Sequence, residues 1–165
     1  MSPSKKVHIM RGMNKLPVQK RVQILKLLCE GNSMRSVSRV VDVSINTVSK
    51  LLVEAGEACI DFHDEKVRAV RAKRIQVDEI WSFCAAKDKN VANMKKPVPG
   101  AGDVWTWTAI DPDTKLVVGW LVGGRDAEHA DAFMRDVASR LDDRVQLTSD
   151  GLPYYFRAVA RAFNG

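Results

Sequence analysis

From Pro17 onward, apolar residues recur at helical spacing. Val18, Val22, Leu25, Leu28 and Cys29 share one face of a predicted helix that closes at Gly31-Asn32. Ser33 is placed to cap a second, short helix that turns Met34, Val37, Val40 and Val41 inward. Asp42 and Val43 then connect to Ser44, which caps a third helix with Val48, Leu51, Leu52 and Ala55 on its apolar side. Gly56 either weakens this third helix or is passed over as it runs on through Ala58 and Ile60. Residues 61–74 are dense in charge and read as a helical or extended linker. At Ile75 the period changes to that of a strand, with Ile75, Val77, Ile80, Trp81 and Phe83 around one acid that reads as buried, Asp78.

A loop rich in Pro, Gly and Lys follows over residues 87–102. Val104–Ile110 and Leu116–Leu121 are strands joined by the turn Asp111-Pro112-Asp113-Thr114. Ala127–Leu141 is an amphipathic helix with Ala130, Phe133, Met134, Val137 and Leu141 inward. Val145, Leu147 and Ser149 then form a strand that ends at Asp150-Gly151, and Pro153 opens a last helix through Phe156, Val159 and Ala160. The pattern predicts an α/β chain in three parts: a basic arm and three helices over 1–60, a charged linker over 61–74, and an α/β domain over 75–165.

Composition narrows the function classes. With 45% hydrophobic and 28% charged residues among 165, the chain has a globular balance. No apolar run approaches the ~20 residues of a membrane helix, and the basic start leads into no secretory h-region. The reading is therefore cytoplasmic, with no membrane partner. Cys29, Cys59 and Cys84 are widely spaced and odd in number, which argues for reduced, buried thiols rather than a disulfide frame or a zinc ribbon. The net charge of +6 is uneven: residues 1–75 hold 15 Lys and Arg against 7 Asp and Glu, and residues 76–165 hold 11 against 13. The basic front half points to a polyanion.

The front helices have the proportions of a helix-turn-helix: a short helix, a turn at 42–44 and a second helix. Ser44, Asn46, Thr47, Ser49 and Lys50 would stand near the start of the exposed side of the second helix, where base edges and phosphates come within reach. Arg35 and Arg39 could touch phosphates from the helix before. A three-helix packing module without DNA is the alternative.

Two acids carry the back half. Asp78 lies inside one predicted strand and Asp150 at the end of another. An Asp in a strand is costly to bury unpaired. If the two strands are neighbours, the carboxylates can meet at a site for Mg²⁺ or Mn²⁺, the arrangement that two-metal phosphoryl transfer uses. Asp78 could instead cap a turn or pair with Arg74, and Asp-Gly is a common turn pair. Glu79, on the other side of the strand by alternation, reads as a surface or salt-bridging residue rather than a ligand.

Val77-Asp78-Glu79-Ile80-Trp81-Ser82-Phe83 with Ala86-Lys87, and Thr148-Ser149-Asp150-Gly151-Leu152-Pro153-Tyr154-Tyr155, resemble the first and second catalytic-acid motifs of insertion-sequence-one family transposases, of the Asp-Asp-Glu type. The resemblance covers roughly residues 18–165 and includes the helix-turn-helix. It implies a ribonuclease-H-like domain, with Asp78 and Asp150 as the first two catalytic acids and metal ligands. It also implies metal-dependent cleavage and strand transfer on double-stranded DNA at the element's terminal repeats, by a homo-oligomer when complete. No Asp or Glu follows Asp150, and the sequence ends 15 residues later. On this resemblance the domain is incomplete, and the chain alone is expected to bind metal weakly and to join no DNA ends. A non-catalytic helix-turn-helix regulator derived from a transposase and a metal-dependent nuclease are the alternatives. Asp78 and Asp150 are expected on adjacent parallel strands, with the hairpin of 104–121 antiparallel beside Asp78.

Overall fold

The computed structural model describes residues 16–96 and 98–163. The basic arm expected over 1–16 falls, but for Leu16, outside the described residues. The described chain is mixed α/β. Its elements run α1 (Val18–Cys29), α2 (Met34–Val41), α3 (Ile45–Lys66), β1 (Arg74–Cys84), α4 (Asp88–Val91), β2 (Gly102–Ile110), β3 (Val117–Gly123), α5 (Ala127–Arg140), β4 (Gln146–Thr148) and α6 (Pro153–Phe163). Two compact units part between Phe62 and His63.

The first unit is built on α1, α2 and the front of α3, around Ile24, Val37, Val41, Val48 and Leu51. Ser33 caps α2 by accepting the Ser36 N–H. Asp42 ends α2 in the left-handed conformation, φ 52°, a region that short polar residues such as Asp tolerate better than most. The Ser38 hydroxyl donates to the Val43 carbonyl at 2.6 Å and closes the turn. The buried face of α1 differs from the expected one. Ile24 is fully buried, with Leu16, Leu25, Leu27 and Leu28 packed beside it, whereas Val18, Val22 and Cys29 lie on the outer side. Three short helices can enclose only one narrow stripe of each. Met34, Val40 and Leu52 are left outside for the same reason. Cys59 and Cys84 are also exposed, against the expectation of buried thiols: one sits far along α3 and the other closes β1.

In the second unit a four-stranded sheet has the order β3-β2-β1-β4. β1 pairs antiparallel with β2 and parallel with β4, and β2 pairs antiparallel with β3. This is the pairing expected for the Asp78 strand and the hairpin; β4 is parallel to β1 as expected but ends at Thr148, so Asp150, expected to end that strand, lies in a bend two residues beyond it. Ile75, Val77, Trp107, Ala109 and Val118 on one face of the sheet pack with Ala130, Phe133, Met134 and Val137 of α5 and Tyr155 and Ala158 of α6. In α6, Tyr155 and Ala158 turn inward and Phe156 outward. Asp126 caps α5 through the N–H groups of His129 and Glu128, and the hydrogen bonds from the His129 N–H and the His129 ring, with a smaller one from the Glu128 N–H, hold its carboxyl below the usual range. A Cβ on Gly123 would overlap the His129 ring, so this close approach requires glycine.

The charged run predicted as a linker begins as helix, since α3 continues to Lys66. In the second unit, buried Arg140 of α5 donates to Asp64 at 2.6 Å and to Asp136 at 2.7 Å. Its third contact is to His63 Nδ1 at 3.2 Å. His63 Nε2 lies 3.0 Å from the Val117 carbonyl. These partners assign the imidazole proton to Nε2, which donates to Val117 while Nδ1 accepts from Arg140. Val70 then bridges in parallel to Leu141 and leads into β1.

Candidate functional site

The DNA-contact candidates lie on α2, the turn and the start of α3. The Ser44 hydroxyl accepts the Asn46 N–H at 3.2 Å, and its carbonyl accepts the N–H groups of Thr47 and Val48. That cap fixes the direction in which α3 leaves the turn. Val48 and Leu51 are buried, which turns Asn46, Ser49 and Lys50 outward; Thr47 is half-buried. Arg35 and Arg39, one helical turn apart on α2, are exposed. The exposed set is short polar groups and cations.

Of the acid candidates, Asp78 lies within β1 and Asp150 in the bend that follows β4. Gln76 of β1 stands opposite Thr148 of β4 in the last pair of this parallel register, and Asp78 and Asp150 each follow two residues later. Asp78 is exposed, contrary to the buried acid expected, because α5 and α6 cover only the other face of β1. Its Oδ1 accepts the Glu79 N–H at 2.8 Å. Arg74, a possible partner for Asp78, pairs instead with Asp113. Asp150 is about half exposed, and its Oδ1 accepts the Leu152 N–H at 3.2 Å.

Glu79 is salt-bridging, one of the two alternatives of the sequence reading, but it is not a surface residue. Alternation does point it away from Asp78, but towards the helices rather than to solvent, and its side chain is 1% exposed. It accepts a hydrogen bond from the Tyr155 hydroxyl on α6 and pairs with Arg125 at 3.2 Å. Arg125 also approaches Asp150 at 3.8 Å. Burial holds the Tyr155 hydroxyl well above its ordinary pKa. The hydrogen bond to Glu79 and the negative charges of Glu79, Asp150 and Asp78 push in the same direction. A chain of polar contacts thus runs from α6 through Tyr155, Glu79 and Arg125 to Asp150.

Sequence reasoning missed Tyr155 and Arg125. One signal was available: Glu79 shares a strand face with Ile75 and Val77, and a carboxylate on a core face needs partners. Nothing in Gly123-Gly124-Arg125 marked the arginine as one of them.

Hard oxygen donors from two carboxylates suit a divalent cation that keeps most of its water. Asp78 and Asp150 each use one oxygen on a local N–H, and Arg125 near Asp150 opposes a cation there. By chemistry alone, the two carboxylates are donors of the kind that Mg²⁺ or Mn²⁺ takes. Among the described residues, no group of three or more His, Cys, Asp or Glu is placed to hold a metal, and no helix is long and apolar enough to cross a membrane. No family model matches the chain, and no curated protein matches it.

Proposed function

We propose that this chain is a transposase-type DNA-binding protein. On this reading a helix-turn-helix in the first unit holds double-stranded DNA at element ends, and a ribonuclease-H-like sheet carries Asp78 and Asp150 for metal-dependent phosphoryl transfer. The observation that supports the reading is the parallel pairing of β1 with β4, whose last paired residues, Gln76 and Thr148, each precede one of the two acids by two positions. The three-residue turn between α2 and α3, with its exposed cations and amides, supports the DNA half.

The two carboxylates would hold Mg²⁺ or Mn²⁺, which when bound supplies Lewis acidity at a phosphate oxygen. The chain's own residues act around it. Arg125 fixes the direction of the Asp150 carboxylate. Glu79 and Tyr155 fix Arg125. Lys50, Arg35 and Arg39 neutralise phosphates and set the register of the duplex, and Asn46 reaches for base edges.

The test has two arms. Mn²⁺ binding to the full chain, followed by electron paramagnetic resonance, should be weak and should be lost in both Asp78→Asn and Asp150→Asn. Duplex affinity should fall with salt, each phosphate contact contributing about −0.9 to the slope of log K against log salt. Lys50→Ala should weaken binding to every duplex, whereas Asn46→Ala should mainly relax sequence preference. Mn²⁺ binding indifferent to both aspartates would remove the phosphoryl-transfer half. A flat salt response would remove the DNA half.

A second reading, a DNA-binding regulator without catalysis, has an observation in its favour. The first unit packs around a hydrophobic core of its own, so its contact surface does not draw on the sheet. Duplex binding without any carboxylate-dependent Mn²⁺ binding would select it.

A further inference from the structure

The cover that α5 and α6 lay over β1 ends at Glu79. The next two side chains on that face, Trp81 and Phe83, are 40% and 46% exposed. Trp81 stands opposite Trp105 of β2 in the antiparallel register. Its ring centroid is 5.8 Å from that of Phe83. Two cations sit on this aromatic strip. Lys87 Nζ lies 4.7 Å from the Trp81 ring centroid, and the Arg125 guanidinium carbon lies 4.8 Å from that of Trp105. Arg125 is also paired with Glu79, whereas Lys87 has no ion pair among the described residues; Asp88 and Asp103 each accept the other's backbone N–H, at 2.7 and 3.1 Å.

A ligand for this strip has to offer flat aromatic faces and negative charge together. Unpaired nucleotides do so, since their bases stack on aromatic side chains while the phosphates meet the cations. A duplex does not, because its bases already cover one another's faces. We infer that Trp81, Phe83 and Trp105, with Lys87 and Arg125, form a platform for the unpaired bases of a DNA strand. Trp81 is three residues along β1 from Asp78, ~10 Å at strand rise. The odd separation puts Trp81 on the sheet face opposite Asp78, so a strand stacked here lies on the Glu79 side of the sheet and not over the Asp78 carboxylate. The inference rests on the proposed DNA function and extends it from duplex to opened strand.

The experiment is fluorescence anisotropy with the full chain. The probes are a fluorescein-labelled single strand of about 15 nucleotides, near the upper site size for such grooves, and a blunt duplex of the same sequence. Trp81→Ala should weaken single-strand binding about tenfold, within the range for loss of one stacking partner. Trp81→Phe should retain most of the affinity. Lys87→Ala should lower the salt slope by about 0.7. All three variants should leave duplex binding unchanged. Single-strand affinity unchanged in Trp81→Ala overturns the platform. So does sedimentation showing that Trp81→Ala dissociates a self-associated form, since the strip would then be a contact between copies of the chain. Duplex binding indifferent to Lys50→Ala counts instead against the DNA contact proposed for the first unit. The two variants lie in different units, so one failure does not bring the other.

Discussion

Asp78 and Glu79 are adjacent in sequence, carry the same charge and have opposite surroundings. Asp78 faces the bare side of the sheet and has one backbone hydrogen bond to its carboxylate. Glu79 faces the helices, is almost fully buried and is held by Tyr155 and Arg125. The pleat alone separates them, since successive strand residues point to opposite faces. One acid is locked into the fold, and the other is left with an oxygen available to a ligand. The comparison predicts that Glu79 matters to stability and Asp78 to binding.

The largest expected effect is on the buried side. Glu79→Ala leaves Arg125 without its closest partner and Tyr155 without its acceptor. Breaking a fully buried pair costs about 3–5 kcal/mol. Arg125 is 36% exposed and can turn to solvent, so a loss of about 2–3 kcal/mol is expected. Urea unfolding followed by tryptophan fluorescence measures it cleanly, because all four tryptophans lie in the second unit. A loss below about 0.5 kcal/mol, the usual range for surface positions, would place Glu79 among them and dissolve the contrast.

Tyr155→Phe should have a smaller effect. It keeps the ring against Trp107, at 5.6 Å between centroids, and removes only the hydroxyl. A hydrogen bond to a charged group contributes about 1.5–3 kcal/mol, and Arg125 still compensates Glu79, so about 1–2 kcal/mol is expected. The pH dependence is more diagnostic. The folded-state pKa of Tyr155 lies above its ordinary value of about 10. Above that pH the unfolded chain releases the proton while the folded chain keeps it, so this contribution is full below pH ~10 and declines as pH rises further. Tyr155→Phe should flatten the alkaline limb of the stability curve. An unchanged limb would show that the hydroxyl is not held as the structure indicates.

Much of the fold was legible in the sequence, and physical reasons separate what was from what was not. The change from helical to strand period at Ile75 located β1, and the turn residues after Ile110 located the β2–β3 hairpin. Both signals are local. The buried stripe of α1 was misjudged because Val18, Val22 and Leu25 keep helical spacing as well as Ile24 does. Only the positions of α2 and α3 decide which stripe is enclosed. The exposure of Asp78 was missed for a related reason: the period of a strand gives two faces but does not say which one the helices cover. The contact of Arg125 with Glu79 joins residues 46 positions apart, and no local pattern encodes it.

The smallest expected effect lies on the bare side, and it decides what Asp78 is for. Asp78→Asn keeps an oxygen at Oδ1, so the Glu79 N–H retains its acceptor. The side chain is exposed, and no ion pair involves it among the described residues. Substitutions at such positions change stability by no more than about 0.5 kcal/mol. The same urea titration that registers Glu79→Ala should therefore scarcely move for Asp78→Asn. If Asp78→Asn costs more than about 1 kcal/mol, the carboxylate is a structural element of β1, and any loss of Mn²⁺ binding in that variant would be secondary to a damaged sheet. If stability holds while Mn²⁺ binding disappears, the two neighbouring acids divide as the pleat divides them: Glu79 holds the helices to the sheet, and Asp78 is kept for a cation.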